Sequence, residues 1–345
     1  MKIVVLAGGL SPEREVSLTS GSLIANALMG RGHRVLLLDV YVGMRDLPVD
    51  IESLFRSDGE YTHRVGETVP DLDALKRETG NGEALIGANV LKICAMADRV
   101  FLALHGAMGE NGQLQATLDT HGIRYTGSGY AGSLLAMDKD ISKRLFRLAG
   151  VPTPDWIEYD VLEDTPNKIL SEIGLPCVVK PLDCGSSVGV SIVDTEAALC
   201  QALAEAGKWG RRVLVEKKIE GRELTVGILD GIALPAVEII PESGFYDYKN
   251  KYQGTTREVC PAEIDGETAN RAAELSRLAF AALRLGGSAR FDFMLDAEGG
   301  LWCLEANTLP GMTPTSLMPQ EAAAVGVDYE SLCQKLVDMA LEGRK

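Results

Sequence analysis

ARFDFMLDAEGGLWCLEANTLPGMTP, residues 289–314, is the stretch on which the reading of this chain turns. It reads as two strands joined by a turn, yet it carries an arginine, two acids and an asparagine among its apolar residues. Charged side chains are rarely buried without partners, so these four are either solvated or part of a site. The turn signal is AEGG, Ala297 to Gly300. A four-residue loop there places Asp296 opposite Leu301, and counting back sets Asp292 opposite Glu305 and Arg290 opposite Asn307. With a side-chain period of two, the other face receives Phe291, Phe293, Leu295, Trp302, Leu304 and Ala306, all apolar. A slip of one residue would mix the faces. Two carboxylates facing each other repel unless a cation lies between them, a role open to Arg290 or to a metal ion.

Working outward, the chain of 345 residues is long enough for two or three domains. An apolar content of 46% with 24% charged residues describes a soluble globular protein. Its net charge of −15 argues against nonspecific binding to nucleic acid or to anionic membranes, so an anionic ligand needs a local cluster of Lys and Arg. The opening apolar run, IVVLA, is too short for a signal segment, and no run approaches the roughly 18 residues of a membrane span. Cytoplasmic residence is the expectation. Seven cysteines without a CxxC pair and four scattered histidines suggest neither a disulfide framework nor a zinc site.

The N-terminal third alternates strand and helix signals: KIVVLAGG, a helix around SLIANALMG, HRVLLLDVY and RVFLALHG. This pattern predicts a parallel sheet covered by helices. Residues 43 to 85 lose it and read as an irregular excursion. After IRYTGSG and a helix holding Lys139, VPTP at 151 to 154 marks a boundary. The strands LPCVVK, GVSIV and RRVLVEK with a helix near 195 to 207 form a small α+β unit. The last third holds an irregular segment from 241 to 260, the helix TANRAAELSRLAFAALRL, the opening hairpin and an amphipathic C-terminal helix.

Three further stretches can carry chemistry. VVKPLDCGSSVGVSIV, residues 178 to 193, joins a lysine closing an apolar strand to a Gly/Ser loop, which supplies a cation and free backbone N–H groups for phosphate; taken alone, an ordinary hairpin turn explains it equally well. VLVEKKIEGREL, residues 213 to 224, reads by itself as a solvated charged edge, but its acids can also serve a nucleotide's adenine and ribose. ESGFYDYKNKYQGTTREVC, with three tyrosines and two lysines, is either a surface loop or a lid that keeps water out. GSGYAG at 127 to 132 matches a dinucleotide fingerprint, but Asp39 precedes it where the fingerprint needs an acid downstream.

Taken in order, GGLSPEREVSLTSG, LHGAMGENGQLQ, YTGSGYAGSLLAMDK, VVKPLDCGSSVGVS, VEKKIEGRELTVGIL, FYDYKNKY and ARFDF through EANTLPGMTPTSLMP resemble the D-alanine:D-alanine ligases of the ATP-grasp superfamily over nearly the whole chain. The resemblance implies an α/β and α+β fold: a Rossmann-like parallel-sheet domain over 1–125, then a two-lobed ATP-grasp fold with a central lobe over 126–213 and a C-terminal lobe over 214–345. It implies that Lys139, Lys180, Glu216, Lys217, Ile219, Glu223 and Lys251 hold ATP, and that Asp292, Glu305 and Asn307 bind two Mg²⁺ ions, with Mn²⁺ as a substitute. Arg290 and the backbone of Gly311 would stabilise an oxyanion. Glu15 would meet the ammonium of the first D-alanine with His105 nearby, Ser186 and Tyr252 would link with Glu15 to close the lid, and Ser316 with Leu317 would seat the second D-alanine. The implied partners are ATP and two D-alanine molecules, with a homodimer as the assembly. Asn111, Cys184 and Asp119 depart from the family's usual Asp, Glu and Glu. Tyr252 resembles the peptide-forming members rather than those that make D-alanyl-D-lactate.

Overall fold

The computed structural model describes residues 1–64, 70–182, 189–241 and 256–342. Three sheets organise it. In the first, β1 (Lys2–Ala7) lies between β2 (Arg34–Asp39) and β3 (Arg99–Leu102), all parallel. Its strands read as continuous apolar runs because both faces are covered. One face packs against the Arg14–Gly30 helix and the C-terminal Tyr329–Glu342 helix through Ile3, Val5, Ile24, Leu28, Leu332 and Leu336. The other closes over Val4, Leu6, Leu38, Val100, Leu114 and Leu118. The segment IRYTGSG adds a parallel bridge, Tyr125 to Val100.

Gly8 ends β1 with φ +73°, and a Cβ there would lie 2.3 Å from Oδ2 of Asp39, so the chain leaves the sheet through a position that only glycine fills. Asp39 is consumed locally. Its Oδ1 accepts the N–H groups of Tyr41 and Val42, and it pairs with Arg14, which disposes of a ribose role for this acid.

The second sheet is antiparallel, in the order β4 (Trp156–Asp160), β7 (Arg212–Lys217), β5 (Cys177–Pro181), β6 (Ser191–Val193), covered by the Glu196–Ala206 helix. β7 belongs to this sheet whole, past residue 213. The third, also antiparallel, runs β11 (Thr256–Val259), β10 (Val237–Pro241), β8 (Arg222–Leu229), β12 (Ser288–Leu295), β13 (Leu301–Asn307), with β9 (Ile232–Ala233) on β8. The Gly266–Ala282 and Lys139–Leu148 helices close its core through Leu275, Ala279 and Phe146 against Phe291, Phe293 and Cys303. In the irregular 43–85 stretch, Arg56 forms a bridge to Val35 and Leu72–Thr79 is helical.

The hairpin departs from the expected register in one place. Asp292 faces Glu305 and Arg290 faces Asn307 as the sequence predicts, but from Phe293 toward the turn the pairing shifts to Phe293–Cys303, Met294–Trp302 and Leu295–Leu301. Leu304 is the extra residue of a β-bulge. The expected core face is corrected accordingly. Leu301 and Cys303 are buried with Phe291, Phe293 and Leu295, while Trp302 and Leu304 turn the other way. The N–H of Cys303 finds its acceptor outside the ladder, at the carbonyl of Pro152, 2.8 Å away.

Candidate active site

The second and third sheets face each other across a cleft with a cavity of about 500 Å³. β5 brings Lys180 to it, and β7 with its following turn brings Glu216, Lys217 and Ile219. β8 contributes Glu223, the hairpin contributes Asp292, Met294, Leu304 and Glu305, and Lys139 enters from the start of its helix. Of the residues named for nucleotide and metal, these eight line one cavity: Lys139, Lys180, Glu216, Lys217, Ile219, Glu223, Asp292 and Glu305. Its walls are partly apolar, from Val178, Ile192, Ile239 and Met294, as a flat base requires.

Within the cleft the acids of the hairpin have partners of opposite sign. Arg290 grips Asp292 in a bidentate pair, Nε to Oδ1 and the Nη2 atom to Oδ2, both 2.9 Å, and the Thr225 hydroxyl donates to Oδ1 at 2.6 Å. Lys139 Nζ lies 3.4 Å from Oε2 of Glu305. Cations from the protein therefore offset the repulsion between the facing acids. Asn307 adds an amide oxygen at the end of β13, accepting from the N–H of Leu309 at 3.1 Å. Among the described residues no three His, Cys, Asp or Glu side chains gather as a metal cage. Two facing carboxylates and an amide are nevertheless all-oxygen donors, which suits a hard divalent cation that completes its shell with phosphate oxygens.

Glu216 is nearly solvent-free. Its Oε1 receives Lys180 Nζ at 2.6 Å and its Oε2 lies 2.9 Å from Lys143 Nζ. Burial pushes its pKa up, but the two lysines outweigh that and hold it below the ordinary carboxylate value. Lys143 was not read from the sequence, although its spacing of four from Lys139 on one helix was the available signal.

A second group of titratable side chains gathers past the end of β3. His105 has an Nε2 atom that is buried without a hydrogen-bond partner among the described residues, and burial pulls its basicity below the ordinary value against the pull of Glu13. Glu110, whose Oε2 accepts the N–H of Gly106 at 2.7 Å, is pushed up to about 8 by burial and then by Glu13. Glu13 is itself buried, and a Cβ built on Gly106 would lie 3.5 Å from its Oε2. The acid that faces His105 is therefore Glu13, which the sequence reading missed. Glu15 turns elsewhere: its Oε2 lies 2.7 Å from Nε2 of His63, and its Oε1 lies 3.8 Å from Arg14. Glu15, expected beside His105, thus pairs with His63 and lies near Arg14, while Glu13 is the acid whose charge acts on His105.

The loop after β13 folds on itself. The Thr313 N–H donates to Ser316 Oγ at 3.1 Å, and a Cβ on Gly311 would lie 3.0 Å from that oxygen, so Gly311 and Ser316 are neighbours. Ser316 leads into the Leu317–Ala324 helix, with Leu317 buried. Ser186, Lys251 and Tyr252 lie outside the described residues, as does most of the stretch read as a lid; β10 and β11, which flank it, pair through Pro241 and Thr256.

Family models described as the N-terminus and the C-terminus of D-ala D-ala ligase match residues 2–128 and 145–338. A D-alanine–D-alanine ligase of Pediococcus pentosaceus is 40% identical over 344 residues, covering 98% of this chain and 97% of the relative. One from Gloeobacter violaceus is 40% identical over 349 residues, with 99% and 100% covered. Among solved structures, the Bacillus anthracis D-alanine–D-alanine ligase complexed with ATP superimposes with a TM-score of 0.75 at 30% identity, covering 99% of this chain and 97% of that one. The VanG D-Ala:D-Ser ligase of Enterococcus faecalis gives 0.77 at 27% identity, with 98% and 99% covered. With its two halves matched in order and relatives alike from end to end, the chain belongs to the D-alanine–D-alanine ligase family.

Proposed function

We propose that this enzyme uses ATP to join two D-alanines into D-alanyl-D-alanine for peptidoglycan precursors, through a D-alanyl phosphate. The observation that carries the reading is the pair Asp292 and Glu305, facing each other in the same cleft that Lys139 and Lys180 line. A carboxylate oxygen of the first D-alanine attacks the γ-phosphorus of ATP and ADP leaves. The amine of the second D-alanine then attacks the activated carbonyl carbon, loses a proton, and inorganic phosphate departs.

Lys139 and Lys180 meet the phosphates, Lys217, Ile219 and Glu223 line the nucleotide's place, and Lys251 joins them from outside the described residues. Mg²⁺ held by Asp292, Glu305 and Asn307, or Mn²⁺ in its stead, would supply charge neutralisation for the phosphates. Arg290 and the backbone N–H of Gly311 face the developing oxyanion. In the first amino-acid subsite the buried Glu13, beside His105, replaces Glu15 as the acid that meets the ammonium. Ser316 and Leu317 seat the second amino acid, while Ser186 and Tyr252 complete the closed site.

Release of ADP and phosphate from ATP on addition of D-alanine alone tests the reading. L-alanine serves as the stereochemical control, and D-serine and D-lactate as competing second substrates. Turnover only when D-serine or D-lactate is added would assign the second subsite to that compound instead. Residence in the cytoplasm, where ATP is supplied, and assembly as a homodimer complete the proposal. No helix among the described residues is long and apolar enough to cross a membrane.

A further inference from the structure

Lys143 is the most completely buried cation of the described structure: its side chain has no exposure to solvent. It does not line the nucleotide cavity. Its ammonium lies 2.9 Å from Oε2 of Glu216, donates to the hydroxyl of Thr153 and to the carbonyl of Pro154 at 3.4 Å, and sits 5.3 Å from the ring centre of Trp156. Glu216 passes the contact on, because its other oxygen holds Lys180 Nζ at 2.6 Å, and Lys180 does line the cavity. Lys143, Glu216 and Lys180 thus form a buried chain that starts behind the wall and ends in the cleft.

An ion pair desolvated to this degree is tolerated only when its geometry is held and its remaining protons are satisfied, and Thr153 and Pro154 satisfy those of Lys143. With one cation on each oxygen, the Glu216 carboxylate has one orientation. That orientation sets where Lys180 points. The same helix reaches the other sheet through Lys139, whose ammonium meets Glu305 one helical turn away. The two lysines therefore register the second sheet against the third, one through Glu216 on β7 and the other through Glu305 on β13.

We propose that Lys143 is a positioning residue for nucleotide binding, acting through Glu216 to aim Lys180 at the phosphates and to set the two sheets at the separation ATP needs. The proposal rests on the reading of this cleft as the ATP site.

Four variants test it: Lys143→Met, Lys143→Arg, Glu216→Gln and Lys143→Met combined with Glu216→Gln, with Lys180→Met as the control. The readouts are KM for ATP, KM for D-alanine, and direct binding of a fluorescent ATP analogue. For Lys143→Met, KM for ATP is expected to rise about tenfold or more while KM for D-alanine stays within about twofold, and Lys143→Arg restores most of the affinity. If Lys143 acts only through Glu216, removing it adds nothing in the Glu216→Gln background, so the two effects on ATP are non-additive. The double variant leaves no unpaired buried carboxylate and carries the test if Lys143→Met does not fold. Additive effects in the cycle, or a folded Lys143 variant with unchanged ATP affinity, overturn the proposal while the site reading stands. An unchanged ATP affinity in Lys180→Met overturns both.

Discussion

The carboxylates of Asp292 and Glu305 are held in place by different cations, and their loss is expected to differ in kind. Asp292→Asn weakens the bidentate grip on Arg290 as well as the proposed metal site, so it should affect both half-reactions; Glu305→Gln removes the charge that Lys139 meets and should fall mainly on the phosphate side. Both are expected to lower kcat by about 10²–10³-fold, read as ADP release at saturating substrates. Arg290→Lys keeps the charge but cannot make two parallel hydrogen bonds to Asp292, and it should lose activity on a similar scale. The four side chains of the hairpin were legible because strand alternation puts them on one face whatever surrounds them. The choice between Glu13 and Glu15 was not. Two residues along a helix rotate a side chain by about 200°, so the choice depends on where the helix begins. Here it begins at Arg14, with Glu13 in the preceding cap position, where neither residue type nor spacing identified it.

At the scale of the element, the hairpin shows how a local rule is overridden. Turn chemistry and alternation predicted an unbroken register, and from Asp292 outward the pairing has it. The bulge at Leu304 needs an acceptor for the N–H of Cys303, which Pro152 supplies from 151 residues earlier in the chain. Its effect is to bury Cys303 beside Phe293 and to turn Leu304 into the cavity wall. The turn before β8 is packed as closely: a Cβ on Gly221 would lie 2.0 Å from the carbonyl oxygen of Leu295. Gly221→Ala is therefore expected to cost about 1–3 kcal/mol of stability, measured by denaturant unfolding, and to raise KM for ATP because the displaced backbone is cavity wall.

Across the whole molecule, the C-terminal helix packs on the N-terminal sheet, so the ends of the chain share one core, and the site lies between the two later sheets. Glu321 belongs to this long-range order. Buried in the Leu317–Ala324 helix, it accepts the N–H of Gly227 on β8 at 2.8 Å, and burial pushes it up to about 8. A carboxyl group raised in the folded state binds a proton that the unfolded chain has released, so between its ordinary value of 4.5 and about 8 folding stability falls as pH rises. Glu110, also raised to about 8, acts in the same direction. The melting temperature should accordingly decline between pH 6 and pH 8, and Glu321→Gln should flatten that decline; an unchanged slope would remove Glu321 as its source. A non-hydrolysable ATP analogue with Mg²⁺ at about 100 times its Kd should stabilise the protein by about 2.7 kcal/mol, seen as a rise in melting temperature that Lys180→Met abolishes. By itself the sequence determined the order of elements, the parallel first sheet and the facing acids, because periodicity and turn chemistry act over a few residues. Only the tertiary structure decided which acid faces His105, where the hairpin bulges, and that Lys143 stands behind Glu216. Each of those depends on a backbone carbonyl, a helix start or a buried charge brought near by folding, and desolvation gives such contacts their energy only once the core has closed.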